Sequence, residues 1–249
     1  METTLRVLIT LGLTLLLVML RLDAERFGAA EYDEARDGHV PSLRRRLAWY
    51  VLGIGLVVAA VLVHPAADRE LFLGPGDRLG AIVGGLLFGM IGTGQAVAFA
   101  WLRYRHFRLP AVSSYPGALL NAVSTAFIDE AAFRGMLLGY IILAGPGVDA
   151  STANIIQALV YALATRLGAP GRDRYMLVLA LLIGLGAGWL TVATGGIGAA
   201  FLGHAITRFA VFLCTGHAGQ VAPRGREDED IEKRRRPPDG WRVVGTRER

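Results

Sequence analysis

One cysteine, Cys214, and one lysine, Lys233, stand in a chain of 249 residues. A single thiol excludes an internal disulfide and a cysteine-built metal cluster. Arginine carries the rest of the positive charge, a bias we read as the coding preference of a GC-rich, bacterial genome. Charge itself is scarce at 19% of residues, and long stretches carry none. A phosphate-binding loop is also missing: no Gly-Lys-Ser/Thr follows any of the glycine-rich turns, and no strand pattern precedes them. The net charge of +5 raises nucleic acid as a partner. The arginines, however, lie beside apolar blocks and in the tail, so anionic lipid headgroups are the expected partner and nucleic acid is not.

What the chain has instead is apolar sequence in blocks. Hydrophobic residues make up 53% of the total. They cluster in runs of roughly 17 to 25, the length a helix needs to cross about 30 Å of hydrocarbon. Seven segments follow, near 5–21, 46–64, 79–102, 116–144, 152–167, 175–193 and 197–215, parted by turn formers such as "GPGD" at 74–77 and "GPGVD" at 145–149. The expected fold is all-α: a polytopic membrane bundle of about seven transmembrane helices. The fourth segment exceeds what a bilayer requires, so it is expected to tilt, bend or project. The short turn near 193–198 makes the last two spans antiparallel neighbours. Glycines four apart (Gly80 and Gly84, Gly85 and Gly89, Gly184 and Gly188) predict close helix contacts.

Charge orients the bundle. Arg21, Arg26, Arg36, Arg44, Arg45 and Arg46 follow the first span, Arg103, Arg105 and Arg108 the third, and Arg166, Arg172 and Arg174 the fifth; the tail holds nine more basic residues. Only Arg6, Arg69 and Arg78 fall on the other side. Basic loops stay in the cytoplasm, so the N-terminus is expected outside and the C-terminus inside, with the protein in the cell membrane, a bacterial inner membrane on this reading. The first span has a poorly basic start and no small-residue cleavage site, so it reads as a retained anchor rather than a signal peptide. Three parts result: a two-helix hairpin with a charged loop (1–78), a helix bundle (79–215) and a charged tail without fixed structure (216–249).

Inside the spans, ionisable groups are few: Asp129, Glu130 and Arg134 in the fourth, His204 and Arg208 in the seventh. Each costs at least about 2.5–3.5 kcal/mol at mid-depth, which makes a retained one a candidate for function. Glu130 and Arg134 are four apart and share a helix face. Asp129 points about 100° away. His204 and Arg208 are also four apart, and Gln157, Tyr161 and Thr165 form a milder polar stripe on the fifth span. Helices with polar rows in lipid turn those rows toward one another. Three readings stay open at this point: an ion-pair network pinning helices together, an active site built from carboxylate, imidazole and cation, and an ion pathway or small transporter.

The stretch "IDEAAFRGML" at 128–137 resembles the first motif of the CPBP intramembrane proteases, the glutamic-protease superfamily that includes the type II CAAX prenyl endopeptidases. "QALVYALAT" at 157–165 stands where the second motif belongs, and "HAITR" at 204–208 where the third does. The resemblance spans about 79–215. It implies a helix bundle with a cavity open to the cytoplasm and an endopeptidase that needs no metal or other cofactor, acting on a membrane-associated peptide or protein. By position, Asp129 stands at the water-activating Glu, Glu130 at the second Glu, Arg134 at the Arg, Tyr161 at the aromatic and His204 at the third motif's His.

Three positions depart from the pattern. Asp129 is one methylene shorter than Glu, Thr165 replaces the second motif's His, and Arg208 replaces Asn or Asp. The catalytic set by resemblance is therefore Asp129, Glu130, Arg134, Thr165, His204 and Arg208, with Asp129 as base and His204 with Arg208 at the oxyanion. The first reading is an intramembrane endopeptidase cleaving near the cytoplasmic face. The alternatives are a catalytically silent relative that binds or scaffolds membrane proteins, and a small transporter.

Overall fold

The computed structural model describes residues 2–29, 43–105, 107–110, 116–145, 147–169, 174–216 and 241–244. The apolar blocks are helical: α1 (Glu2–Leu22), α2 (Leu43–Val63), α4 (Arg78–Tyr104), α7 (Ala150–Leu167), α8 (Tyr175–Thr194) and α9 (Gly198–Thr215), with one short turn of helix, α3 (Ala67–Glu70). The long fourth block is one rod built of three parts: α5 (Pro116–Asp129), a π-helical segment (Glu130–Leu137) and α6 (Leu138–Ala144). Backbone angles at both junctions stay right-handed helical, so the chain does not break where the hydrogen bonding widens.

Five of these helices are long and apolar enough to cross a membrane: Thr4–Leu22, Arg44–Val63, Arg78–Tyr104, Tyr175–Thr194 and Gly198–Thr215. The rod from 116 to 144 and α7 complete the bundle around them. Large apolar side chains cover its outside, among them Leu62, Leu79, Ile91 and Leu102. Such a belt would be an aggregation hazard in water and is the ordinary surface of a protein in lipid.

Small residues decide who packs on whom. α9 lies most closely on α4, more so than on its chain neighbour α8, while α7 pairs with α8. A side chain at Gly85 or Gly89 would run into Leu202 or Ile206 within 2.9 Å, and one at Gly184 into Ala158. The helices can approach this far only because those positions carry hydrogen. Aspartates start two helices: Asp77 accepts from the Gly80 amide at 2.6 Å, and Asp149 from the Ser151 and Thr152 amides at 2.8 and 3.0 Å.

Two findings revise the reading of the arginines. Arg21 and Arg46, expected at the lipid surface, are buried. Arg21 lies in the last turn of α1 and points into the bundle. Arg46 donates from Nε to the Gly28 carbonyl at 2.9 Å, and Trp49 donates to the Leu20 carbonyl at 2.9 Å. Together they fasten the end of α1 to α2. Gly168, just past α7, sits against the Arg21 carbonyl with no room for a side chain.

The helical plan has one small exception. Strand β1 (Phe107–Pro110), between α4 and α5, pairs antiparallel with strand β2 (Trp241–Val244) from the tail. Tail residues 217–240 and 245–249, expected to lack fixed structure, and loop residues 30–42 lie outside the described residues.

Candidate active site

The π-helical segment is the centre of the site. A π-turn bonds each residue to the one five ahead rather than four, and such segments are uncommon outside functional positions. Here it begins at Glu130, and every residue from Glu130 to Met136 is buried. Asp129 closes α5 and Glu130 opens the π segment, so the two carboxylates leave the rod in different directions.

Glu130 turns toward α9. Its Oε1 lies 2.6 Å from His204 Nδ1 and 3.4 Å from Arg134 Nη1. With the carboxylate ionised and the ring neutral, the imidazole donates from Nδ1 and its Nε2 is left as an acceptor. Arg134 is completely buried, and its guanidinium sits 3.9 Å over the Tyr161 ring. Charge contact with Glu130 and the ring face hold it, with no hydrogen-bond acceptor for its nitrogens among the described residues.

Asp129 turns toward α1 and α7. Its Oδ1 lies 3.1 Å from Arg21 Nε, and its Oδ2 accepts from the Tyr161 hydroxyl at 3.5 Å. Both ends of the Arg21–Asp129 pair are buried, at 3% and 0% exposure. This partner was missed in the sequence, where Arg21 reads as a topological charge. No local feature of the sequence marks it, because an arginine at the end of a span reads as a headgroup contact. The expected base is thus already engaged by an arginine from a helix far upstream.

Tyr161 is the common neighbour. Its hydroxyl meets Asp129, its ring lies beneath Arg134, and its edge approaches Phe133 at 5.1 Å and His204 at 6.4 Å between ring centres. Thr165, at the position of the missing His, is buried one turn further along α7. Arg208 is half-buried and within electrostatic reach of Asp129, Arg21, Tyr161 and Tyr50. Tyr50 in turn donates to Asn121 Oδ1 at 2.6 Å, a polar contact between α2 and α5 that sequence reading did not single out. The structure therefore gathers Asp129, Glu130, Arg134 and His204 around Tyr161, adds Arg21, and sets Arg208 at the edge. No group of three His, Cys, Asp or Glu side chains placed to hold a metal ion occurs among the described residues.

The opposite face of the π segment is closed by the loop after α3. Leu71 is buried, and Leu73 with the Leu71 carbonyl covers Gly135. The Ile197 amide ties this loop to α9 by donating to the Phe72 and Gly74 carbonyls at 3.0 and 3.1 Å.

The comparisons with known proteins meet this geometry directly. A family model, type II CAAX prenyl endopeptidase Rce1-like, matches residues 111–210. No curated protein and no solved structure matches the chain. The matched stretch is shorter than the resemblance over 79–215: it starts just before α5, stops within α9, and leaves α1, α2 and α4 outside. Five helices able to cross a bilayer, together with this similarity to a membrane protease family, point to a multi-pass membrane protein. Over residues 111–210, which carry both carboxylates, Arg134, Tyr161, Thr165, His204 and Arg208, the chain is similar to the type II CAAX prenyl endopeptidase Rce1-like family.

Proposed function

We propose that the protein is an intramembrane endopeptidase whose general base is the His204–Glu130 pair. The 2.6 Å contact between Glu130 Oε1 and His204 Nδ1 carries this reading. Glu130 fixes the imidazole's tautomer and orientation, and its charge stabilises the imidazolium once formed. Nε2 takes a proton from a water as that water's oxygen adds to the scissile carbonyl carbon. The imidazolium then gives the proton to the departing amine, leaving a new carboxylate and a new amine. His204 is the one imidazole in the cluster, and Thr165 cannot act as a base near neutral pH. Asp129, held by Arg21, serves as a buried counter-charge instead of the base. The substrate class is a peptide segment of a membrane-associated protein, cut near the face that carries the arginine-rich loops. On this reading that face is cytoplasmic and those arginines contact anionic lipid.

The test is cleavage of a membrane-peptide library by purified protein. Glu130→Gln and His204→Ala should each lower turnover by about 10³–10⁴, as loss of the orienting carboxylate does in a serine-protease triad. Asp129→Asn, if it folds, should retain turnover within about tenfold. Activity that survives His204→Ala and vanishes with Asp129→Asn overturns the assignment.

A second reading has its own observation: Asp129 and Glu130 are both fully buried and both paired. A silent relative that uses this neutral network to pin helices, and binds other membrane proteins, fits that closure. It predicts no cleavage by the wild-type chain under any substrate set, with Glu130→Gln affecting melting alone.

A further inference from the structure

The strand ribbon is the part of the molecule that neither reading uses. β1 and β2 are unequal partners. β1 is built into the bundle: Phe107 packs against Ala96, Ala100, Ala210, Val211 and Cys214 and stacks on Trp101 at 5.8 Å. β1 also packs on both α9 and α4, whereas the substantial packing of β2 is with β1. β2 reaches it over the 25 residues that separate Thr215 from Trp241.

The pairing runs Phe107 with Val244, Arg108 with Val243, Leu109 with Arg242 and Pro110 with Trp241. A four-residue, two-stranded ladder is marginal by itself. Its main-chain bonds depend on an extended backbone and little on sequence. An anchored strand with a weakly held partner is the arrangement in which one extended segment exchanges for another.

We propose that β1 is a strand-acceptor site, that residues 241–244 are its resident occupant, and that an extended segment of a client polypeptide replaces them by antiparallel strand addition. The location gives this a consequence. β1 leads into α5, which ends at Asp129, and the cluster on which Phe107 packs includes Val211 of α9, two turns or about 10 Å along the helix from His204. A client held on β1 is delivered extended beside the cluster, and the tail competes with it. That consequence rests on the endopeptidase reading; the acceptor site itself does not.

The experiment reads binding, not activity. The probe is a fluorescent synthetic peptide of residues 238–247, titrated with the full-length protein in detergent and followed by anisotropy. The comparison protein is the full-length double variant Arg242→Pro/Val243→Pro. Neighbouring residues alternate in which one bonds the adjacent strand, so two prolines in a row remove a ladder donor whichever residue supplies it. A tethered tail competes at an effective concentration on the order of millimolar. The variant, freed of it, should bind the peptide at least about tenfold more tightly than the wild type. The same peptide carrying both prolines should not bind. Equal affinity of the two proteins, including no binding by either, overturns the proposal, as does equal binding of the proline peptide. Because no cleavage is needed, these outcomes are independent of the His204 and Glu130 variants that test the function.

Discussion

The two sides of the rod from 116 to 144 handle adjacent carboxylates in different ways. On the α9 side, Glu130 meets an imidazole and a guanidinium, and the imidazole keeps a second nitrogen able to exchange a proton. On the α1 side, Asp129 meets a guanidinium and a phenol, neither of which gives up a proton readily near neutral pH. One residue of sequence separates a pair that can do acid–base chemistry from a pair that can only balance charge. The π segment starts between them. The difference is therefore in the partners the rod is offered by α1, α7 and α9, and not in the acids themselves.

The largest expected effects break the α9 side. Arg134→Leu takes the guanidinium partner from the buried Glu130 carboxylate and removes the cation stacked on Tyr161. Breaking one member of a buried pair costs about 3–5 kcal/mol, so this variant should lose most of its cooperative melting in detergent. A folded Arg134→Leu chain that melts with the wild type would mean Glu130 is satisfied by His204 alone. The Glu130→Gln and His204→Ala losses in turnover belong to the same side and should leave the Asp129 pair in place.

The α1 side is next, and it sharpens the comparison because it tests charge balance alone. Arg21→Gln and Asp129→Asn should each destabilise the protein by about 3–5 kcal/mol, since each leaves a buried charge unpaired. The double variant removes both charges and should melt closer to the wild type than either single variant does. Additive losses in that cycle would show that Arg21 and Asp129 do not act as a pair. A smaller effect is expected from Gly92→Ala, where a new methyl would meet the Thr207 side chain across the α4–α9 contact. Overpacking of this sort costs about 1–3 kcal/mol and would shift the helix that carries His204.

These contrasts also explain what the sequence could tell. Apolar blocks of this length between glycine and proline turns mark helices because a lone segment in hydrocarbon satisfies its own backbone only as a helix, and each of the seven blocks is helical. Glu130, Arg134 and His204 stood out because lipid makes isolated charge expensive. Arg21 was hidden by the same logic: arginines at the ends of spans are common at headgroups, and no local feature separates one that turns inward. The π segment was hidden because its residues, "EAAFRGML", fit an α-helix equally well; the wider turn depends on what packs around it. β1 was hidden since "FRLP" is too short to show alternation, and its partner lies far along the chain.

The smallest prediction lies at the helix that brings Tyr161 between the two sides. Asp149 caps α7 from the surface, accepting from the Thr152 hydroxyl at 2.8 Å as well as from two amides. The Thr152 hydroxyl bond, followed by the Thr152 amide, holds the Asp149 carboxyl below its ordinary value. A lowered folded pKa means the cap's contribution is complete above the unfolded value, near pH 4, and is lost as pH falls through the folded one. The melting temperature of the wild type minus that of Asp149→Ala should be small and constant from pH 7 to 5, then shrink toward pH 3. Asp149→Asn keeps an acceptor without a titrating charge, so its difference from Asp149→Ala should stay level over the same range. A wild-type difference that grows on acidification would show that the carboxylate form is not what caps α7.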